Sequence, residues 1–280
     1  MNDVLIAIGG GLVVLAIGAE LLVRGASKLA RRFGVSELLI GLTIVGFGTS
    51  TPELVSSIQA ALAGSPGIAV GNVVGSNIFN ILLILGISAV LAPVHVARRG
   101  YFRDALVLFG SALAVISVSK TGVFSRETGF WFLLALGLYI IAAWAGEREA
   151  PEVVDAQEEA RAARAAPAWL SIVFCVAGLA LLVLGARSLV DGSVTLATRL
   201  GVSETVIGLT IVAAGTSLPE LVTSLVAAMR GNTAIAYGNI VGSNIYNAFG
   251  ILGVTAVVAP VPAPPDIFID NMVMMGATLG

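Results

Sequence analysis

The sequence predicts an all-α integral membrane protein, and three observations lead there. Hydrophobic side chains make up 57% of its 280 residues and charged ones only 11%, whereas about a quarter of a soluble domain is charged. The apolar residues fall into runs of roughly twenty, the length a helix needs to cross a bilayer. Nowhere does the chain string together the segments of alternating polarity, roughly ten residues each, from which a membrane barrel is built.

Taken in chain order, the runs place nine helices. The first covers 4–23; Asn2 and Asp3 precede it and the basic cluster Arg24 to Arg32 follows with no small-residue cleavage site, so it is a retained helix and not a signal peptide. The second covers 37–62 with Pro52 inside it, the third 68–91, the fourth 102–119 and the fifth 128–146. Beyond a mainly acidic stretch from Glu147 to Arg164, the sixth covers 169–190, the seventh 204–229 with Pro219 inside it, and the eighth 235–259. A ninth begins near 266 and is cut off at Gly280, which leaves eight full helices and part of a ninth. The domain division is a first repeat over 1–146, a linker over 147–168 too short to be a regulatory domain, and a second repeat over 169–280.

Charge sets the orientation. Loops on one side carry Arg24, Lys28, Arg31, Arg32, Arg98, Arg99, Arg103, Arg148, Arg161, Arg164 and Arg230, and those on the other Lys120, Arg126, Arg187 and Arg199, eleven against four. The richer side belongs in the cytoplasm, which puts the N-terminus outside and the 147–168 linker inside. A net charge of −2 argues against a nucleic-acid partner. The single cysteine, Cys175, lies in an apolar span and has no intrachain partner for a disulfide.

The strongest feature is an internal repeat. "GVSELLIGLTIVGFGTSTPELVSSIQAALAG" at 34–64 returns as "GVSETVIGLTIVAAGTSLPELVTSLVAAMRG" at 201–231, and "GNVVGSNIFNILLILG" at 71–86 returns as "GNIVGSNIYNAFGILG" at 238–253. The offset is 167 without a gap, and 39 of the 61 positions from Gly34 to Val94 are identical. A weaker echo pairs Leu22, Val23, Gly25, Leu29 and Ala30 with Leu189, Val190, Gly192, Leu196 and Ala197. Five helices separate each element from its copy, and an odd number reverses the crossing direction, so the halves are inverted repeats. Secondary transporters have this architecture, with a midplane site built from interrupted helices where the halves meet. A duplicated scaffold alone would keep the apolar pattern, whereas here the polar residues are kept as well.

Those polar residues are the candidate site. Pro52 and Pro219 have no N–H to offer, which frees the carbonyls of Gly48 and Gly215. Thr49 and Glu53 are four residues apart and Ser50 and Glu53 three apart, placing hydroxyl and carboxylate on one helical face. The next helix adds Ser76 and Asn80, and the copy supplies Thr216, Ser217, Glu220, Ser243 and Asn247. All of these offer oxygen, which suits hard cations such as Ca2+, Na+ or Mg2+ and not zinc, copper or iron. Of 17 acidic residues only Glu53 and Glu220 fall near the middle of a span, and an acid at that depth, costing about 2.5–3.5 kcal/mol at least, calls for a bound counter-charge. Gly71, Gly75, Gly238 and Gly242 read as close-packing contacts between helices. The glycine-bearing first and sixth helices are expected to touch the core through apolar faces alone and to slide past it.

The paired "GTSTPE…GNVVGSNIFN" and "GTSLPE…GNIVGSNIYN" resemble the α-repeats of the sodium/calcium exchangers of the cation/Ca2+ antiporter superfamily. The resemblance implies a ten-helix inverted-repeat fold with four ion sites at the centre of the second, third, seventh and eighth helices. By matching position it assigns Ca2+ to Glu53 and Glu220 with the carbonyls of Thr49 and Thr216, and Na+ to Ser50, Ser76, Ser217 and Ser243 with Asn80 and Asn247. Asn247 departs from the family, whose exchangers usually carry aspartate there, and leaves two central carboxylates, which opens the ion stoichiometry and the coupling ion; the missing tenth helix is a second departure and reads as truncation. The expected function is Ca2+ antiport against Na+ by alternating access, with H+ or K+ as alternative coupling ions and a channel as a remoter reading. The signatures of an intramembrane enzyme, HExxH or a serine with a histidine, are absent from the sequence, and no cofactor or obligate protein partner is expected. Membrane lipid is the surrounding partner, and a prokaryotic cell membrane the expected location.

Overall fold

The computed structural model describes residues 2–93, 98–147, 167–201, 211, 213–264 and 266–279. In chain order the helices are α1 (Asn2–Phe33), α2 (Glu37–Thr49), α3 (Thr51–Leu62), α4 (Gly67–Leu91), α5 (Arg98–Thr121), α6 (Arg126–Glu147), α7 (Ala168–Arg199), α8 (Ala213–Thr216), α9 (Leu218–Met229), α10 (Thr233–Val258) and α11 (Ile267–Leu279). Six of these are long and apolar enough to span a bilayer, and α2 with α3 makes a seventh span bent by 44°. The fold is all-α and built on membrane-length helices. The predicted 204–229 span is seen from α8 onward; its earlier part lies largely outside the described residues. Among the described residues the one sheet is a two-residue pairing of Val123–Phe124 with Val261–Pro262.

Close approach of backbones builds the scaffold. On α1, an added Cβ at Gly11 would lie 2.7 Å from the Leu189 nitrogen, at Gly18 2.8 Å from that of Leu182, and at Gly25 2.9 Å from that of Cys175. On α7, Gly178 and Gly185 meet the nitrogens of Leu22 and Leu15 at 2.6 and 2.8 Å. The contacts run in opposite chain directions, so α1 and α7 are antiparallel, and glycines seven apart form a continuous seam. The spacing of 167 relates Gly11, Gly18 and Gly25 to Gly178, Gly185 and Gly192.

A second crossing carries the site. Cβ atoms added at Gly238 and Gly242 would run into the α2 backbone at Leu38 and Leu42, and one at Gly41 would meet the Ile235 carbonyl at 2.8 Å. The packing reading therefore holds for Gly238 and Gly242. At Gly71 and Gly75 no described atom lies within 4 Å, and the repeat mate of 38–42, residues 205–209, lies outside the described residues. Phe47 stacks on Tyr246 at 4.5 Å across the same crossing. Enclosure by neighbours leaves α10 83% buried over its apolar window, against 28–39% for the other long spans.

The expectation that α1 touches the core through apolar faces alone is corrected. Asn232 Nδ2 donates to Ser27 Oγ of α1 at 3.2 Å and to both Glu37 carboxylate oxygens at 3.1 and 3.0 Å, while Ser27 Oγ also donates to Glu37. Glu20 of α1 forms an ion pair with Arg230 beyond α9 and another with Arg24. Glu37, Asn232 and Arg230 sit at helix ends, where polar side chains reach partners without entering the apolar belt, whereas Glu20 lies midway along α1 and is offset by its two arginine partners.

Asp104 is a third fully buried carboxylate, held by its neighbour Arg103 at 2.7 Å and by the Tyr139 hydroxyl at 3.1 Å, which ties α5 to α6.

Candidate functional site

Each repeat opens its site with a broken helix. Ser50, between α2 and α3, has φ −82° and ψ 9°, and Ser217, between α8 and α9, has φ −88° and ψ 7°. A proline two residues on fits the first turn of the following helix, where its missing N–H costs nothing. Each break is followed three residues later by the acid, and Glu53 and Glu220 are both 1% exposed.

The hydroxyls at the breaks reach across to the opposite repeat. Ser50 Oγ donates to Glu220 Oε1 at 2.7 Å, and Ser217 Oγ donates to Glu53 Oε1 at 3.3 Å. This corrects the single-face expectation for Ser50 and Glu53: the backbone leaves the helix at Ser50, so helical spacing no longer governs where that hydroxyl points. Ser217 Oγ also donates to Ser76 Oγ at 3.3 Å, and Ser243 Oγ donates to the Gly46 carbonyl at 3.1 Å, a contact the tight α2–α10 crossing permits. Thr49 Oγ1 lies 3.3 Å from the Gly46 carbonyl and donates to Asn239 Oδ1 at 3.0 Å.

Four asparagines close the centre in matched pairs. Asn77 Nδ2 donates to the Asn244 carbonyl at 3.1 Å and Asn244 Nδ2 to the Asn77 carbonyl at 3.3 Å. Asn80 Nδ2 donates to Asn244 Oδ1 at 2.9 Å, and Asn247 Nδ2 to Asn77 Oδ1 at 3.0 Å. Every one of these bonds has its image at the 167-residue offset. Asn80 and Asn247 both lie in π-helical turns, Asn80–Leu85 and Tyr246–Ile251, which re-aim the side chains relative to a regular α-helix and recur at functional sites.

With those bonds made, one oxygen of each key side chain has no partner. Glu53 Oε2, Glu220 Oε2, Asn80 Oδ1 and Asn247 Oδ1 are all buried and unbonded. An unsatisfied buried acceptor costs about 1–3 kcal/mol, more if charged, so each of the four calls for a partner. The donor set is all oxygen with two carboxylates, the chemistry of Na+ and Ca2+. The structure thus joins Thr49, Ser50, Glu220 and Ser243 through one set of bonds, Glu53, Ser76 and Ser217 through a second, and Asn80 with Asn247 through Asn77 and Asn244 in a third. Thr216 sits at the break beside them and lines a cavity of about 300 Å3 with Pro52 and Gly215. Asn72, Asn77, Asn239 and Asn244 escaped the sequence reading, although identical residues at the same offset marked them.

The chain resembles known proteins along nearly its whole length. The family model described as Sodium/calcium exchanger protein matches residues 4–145 and 170–280. The sodium/calcium exchanger MaX1 of Methanosarcina acetivorans is 36% identical over 309 residues, covering 96% of this chain and 87% of the relative. The inner membrane protein YrbG of Escherichia coli is 37% identical over 254 residues, 89% of this chain and 78% of its own. A structure of the sodium-calcium exchanger NCX_Mj soaked with Na+ and Sr2+ superposes with a TM-score of 0.86 at 33% identity, over 99% of this chain and 89% of that one.

Proposed function

Because the chain belongs to the sodium/calcium exchanger family, we propose that it is a secondary antiporter exchanging Ca2+ for Na+ by alternating access, with Glu53 and Glu220 as the ligands for which the two ions compete. The observation that carries this reading is the set of four unbonded buried oxygens, one acid and one amide from each repeat. Ca2+ and Na+ accept similar oxygen cages, whereas Mg2+ demands short octahedral contacts and sheds water reluctantly, so Mg2+ is a poor substrate. Two carboxylates give the centre a formal charge of −2, which one Ca2+ or two Na+ neutralise. Ser50, Ser76, Ser217 and Ser243 with Asn80 and Asn247 complete the Na+ ligands, and the carbonyls of Thr49 and Thr216 those of Ca2+. Two inverted repeats, 1–146 and 169–280, rock about this centre in a cell membrane, with the N-terminus outside and the 147–168 linker in the cytoplasm.

The test is Ca2+ uptake into Na+-loaded proteoliposomes, with K+ and H+ gradients imposed separately. Glu53→Gln and Glu220→Gln abolish uptake driven by Na+. Uptake undiminished in either variant removes the site assignment, and uptake driven by a pH gradient alone assigns the coupling to H+.

A further inference from the structure

We propose that Asn239 is a positioning residue for ion binding, its amide locking the Glu220 backbone and the Thr49 side chain of the opposite repeat into one fixed relation. Asn239 is fully buried on α10. Its Nδ2 donates to the Glu220 carbonyl at 3.2 Å and to Ser224 Oγ at 2.8 Å, and its Oδ1 accepts from Thr49 Oγ1 at 3.0 Å. One side chain thus spans a ligand-bearing break in each half of the molecule.

The clamp recurs at the repeat offset. Asn72 Nδ2 donates to the Glu53 carbonyl at 3.3 Å and to Ser57 Oγ at 3.0 Å. Both acids are therefore gripped from the neighbouring helix by an asparagine–serine pair acting on their own backbone. Such a grip has a physical purpose at these positions. Each acid stands three residues after a helix break, where the regular ladder has been interrupted, and a carboxylate is no better placed than its Cα. Groups that orient a metal ligand without touching the metal typically alter affinity by about 10–100-fold when removed. The alternative role, satisfying a buried carbonyl for stability alone, predicts loss of thermal stability with ion affinity intact.

The inference rests on the reading of Glu220 and Thr49 as ion ligands, and Glu220→Gln tests that reading separately. The variant Asn239→Leu keeps the volume and adds no charge, but loses both donated bonds and the acceptor for Thr49. In proteoliposomes it is expected to raise the Ca2+ concentration for half-maximal uptake by about 10–100-fold, with the rate at saturating Ca2+ kept within about threefold, and to shrink the Ca2+-induced rise in Tm of the detergent-solubilised protein. A half-saturation value equal to the parent's, with a lowered ion-free Tm, overturns the proposal. Should Asn239→Leu fail to insert, Ser224→Ala carries the test, since it removes only the acceptor that fixes the amide's rotamer. A rise of about threefold or more in half-saturation, the effect of one hydrogen bond, supports the positioning role, and parent-like uptake overturns it.

Discussion

At the scale of single residues, the crossed serine–glutamate bonds are unequal. Ser50 donates to Glu220 at 2.7 Å, whereas Ser217 divides its position between Glu53 and Ser76 at 3.3 Å each. A hydrogen bond to a charged group contributes about 1.5–3 kcal/mol, so Ser50→Ala is expected to raise the half-saturating Ca2+ concentration by about tenfold or more, and Ser217→Ala by less; Ca2+ titrations of uptake check the order. Asn247→Asp deletes the donor that Asn77 Oδ1 accepts and adds a third carboxylate. Because Coulomb attraction scales with ion charge, the variant is expected to favour Ca2+ over Na+ in competition, read as the Na+ concentration that halves Ca2+ uptake. The candidate residues were legible in the sequence, since acids, hydroxyls and amides recur at one offset. Which hydroxyl serves which acid was not, because a helix spacing rule fails at Ser50 where the helix itself stops.

At the scale of elements, spans could be read from hydropathy because a bilayer admits few alternatives to a helix. The π-helical turns at Asn80–Leu85 and Tyr246–Ile251 had no such signal, because hydropathy registers an apolar run and not the one-residue slip of its hydrogen-bond ladder. The α1–α7 seam was half visible, with Gly25 and Gly192 in the weak echo while Gly11–Gly178 and Gly18–Gly185 went unremarked. Their role predicts a sharp contrast. A Cβ at Gly18 or Gly185 would strike backbone at 2.8 Å, whereas one at Gly9 or Gly10 meets nothing within 4 Å. Overpacking of this kind costs about 1–3 kcal/mol, so Gly18→Ala and Gly185→Ala are expected to lower Tm in detergent and slow exchange, with Gly10→Ala parent-like in both measurements.

At the scale of the whole molecule, two clefts related by the repeat differ. The cavity of about 300 Å3 between α3 and α7, with Gln59 and Arg187 on its walls, reaches the site at Pro52, Gly215 and Thr216. Its mate lies between α1 and α9, with Glu20 at the position equivalent to Arg187 and Val226 at that of Gln59, and it ends on Ala16, Ile17 and Leu21 without reaching any site residue. The ion pair of Glu20 with Arg230 crosses that second cleft. Its image cannot form on the other face, because the mates of Glu20 and Arg230 are Arg187 and Ala63. The ion pair is therefore one-sided, and under the proposed alternating access it is expected to bias the equilibrium toward the state in which the α1–α9 cleft stops short of the site. A partly exposed ion pair contributes about 0.2–1 kcal/mol, and at about 1.4 kcal/mol per tenfold its removal shifts the two populations by up to about fivefold. Glu20→Gln is accordingly expected to speed thiol labelling of a cysteine placed at Val226, in a background where Cys175 is replaced by serine, and to slow labelling of one placed at Gln59. Equal labelling rates with and without the Glu20 charge would leave the asymmetry of the two clefts to packing alone.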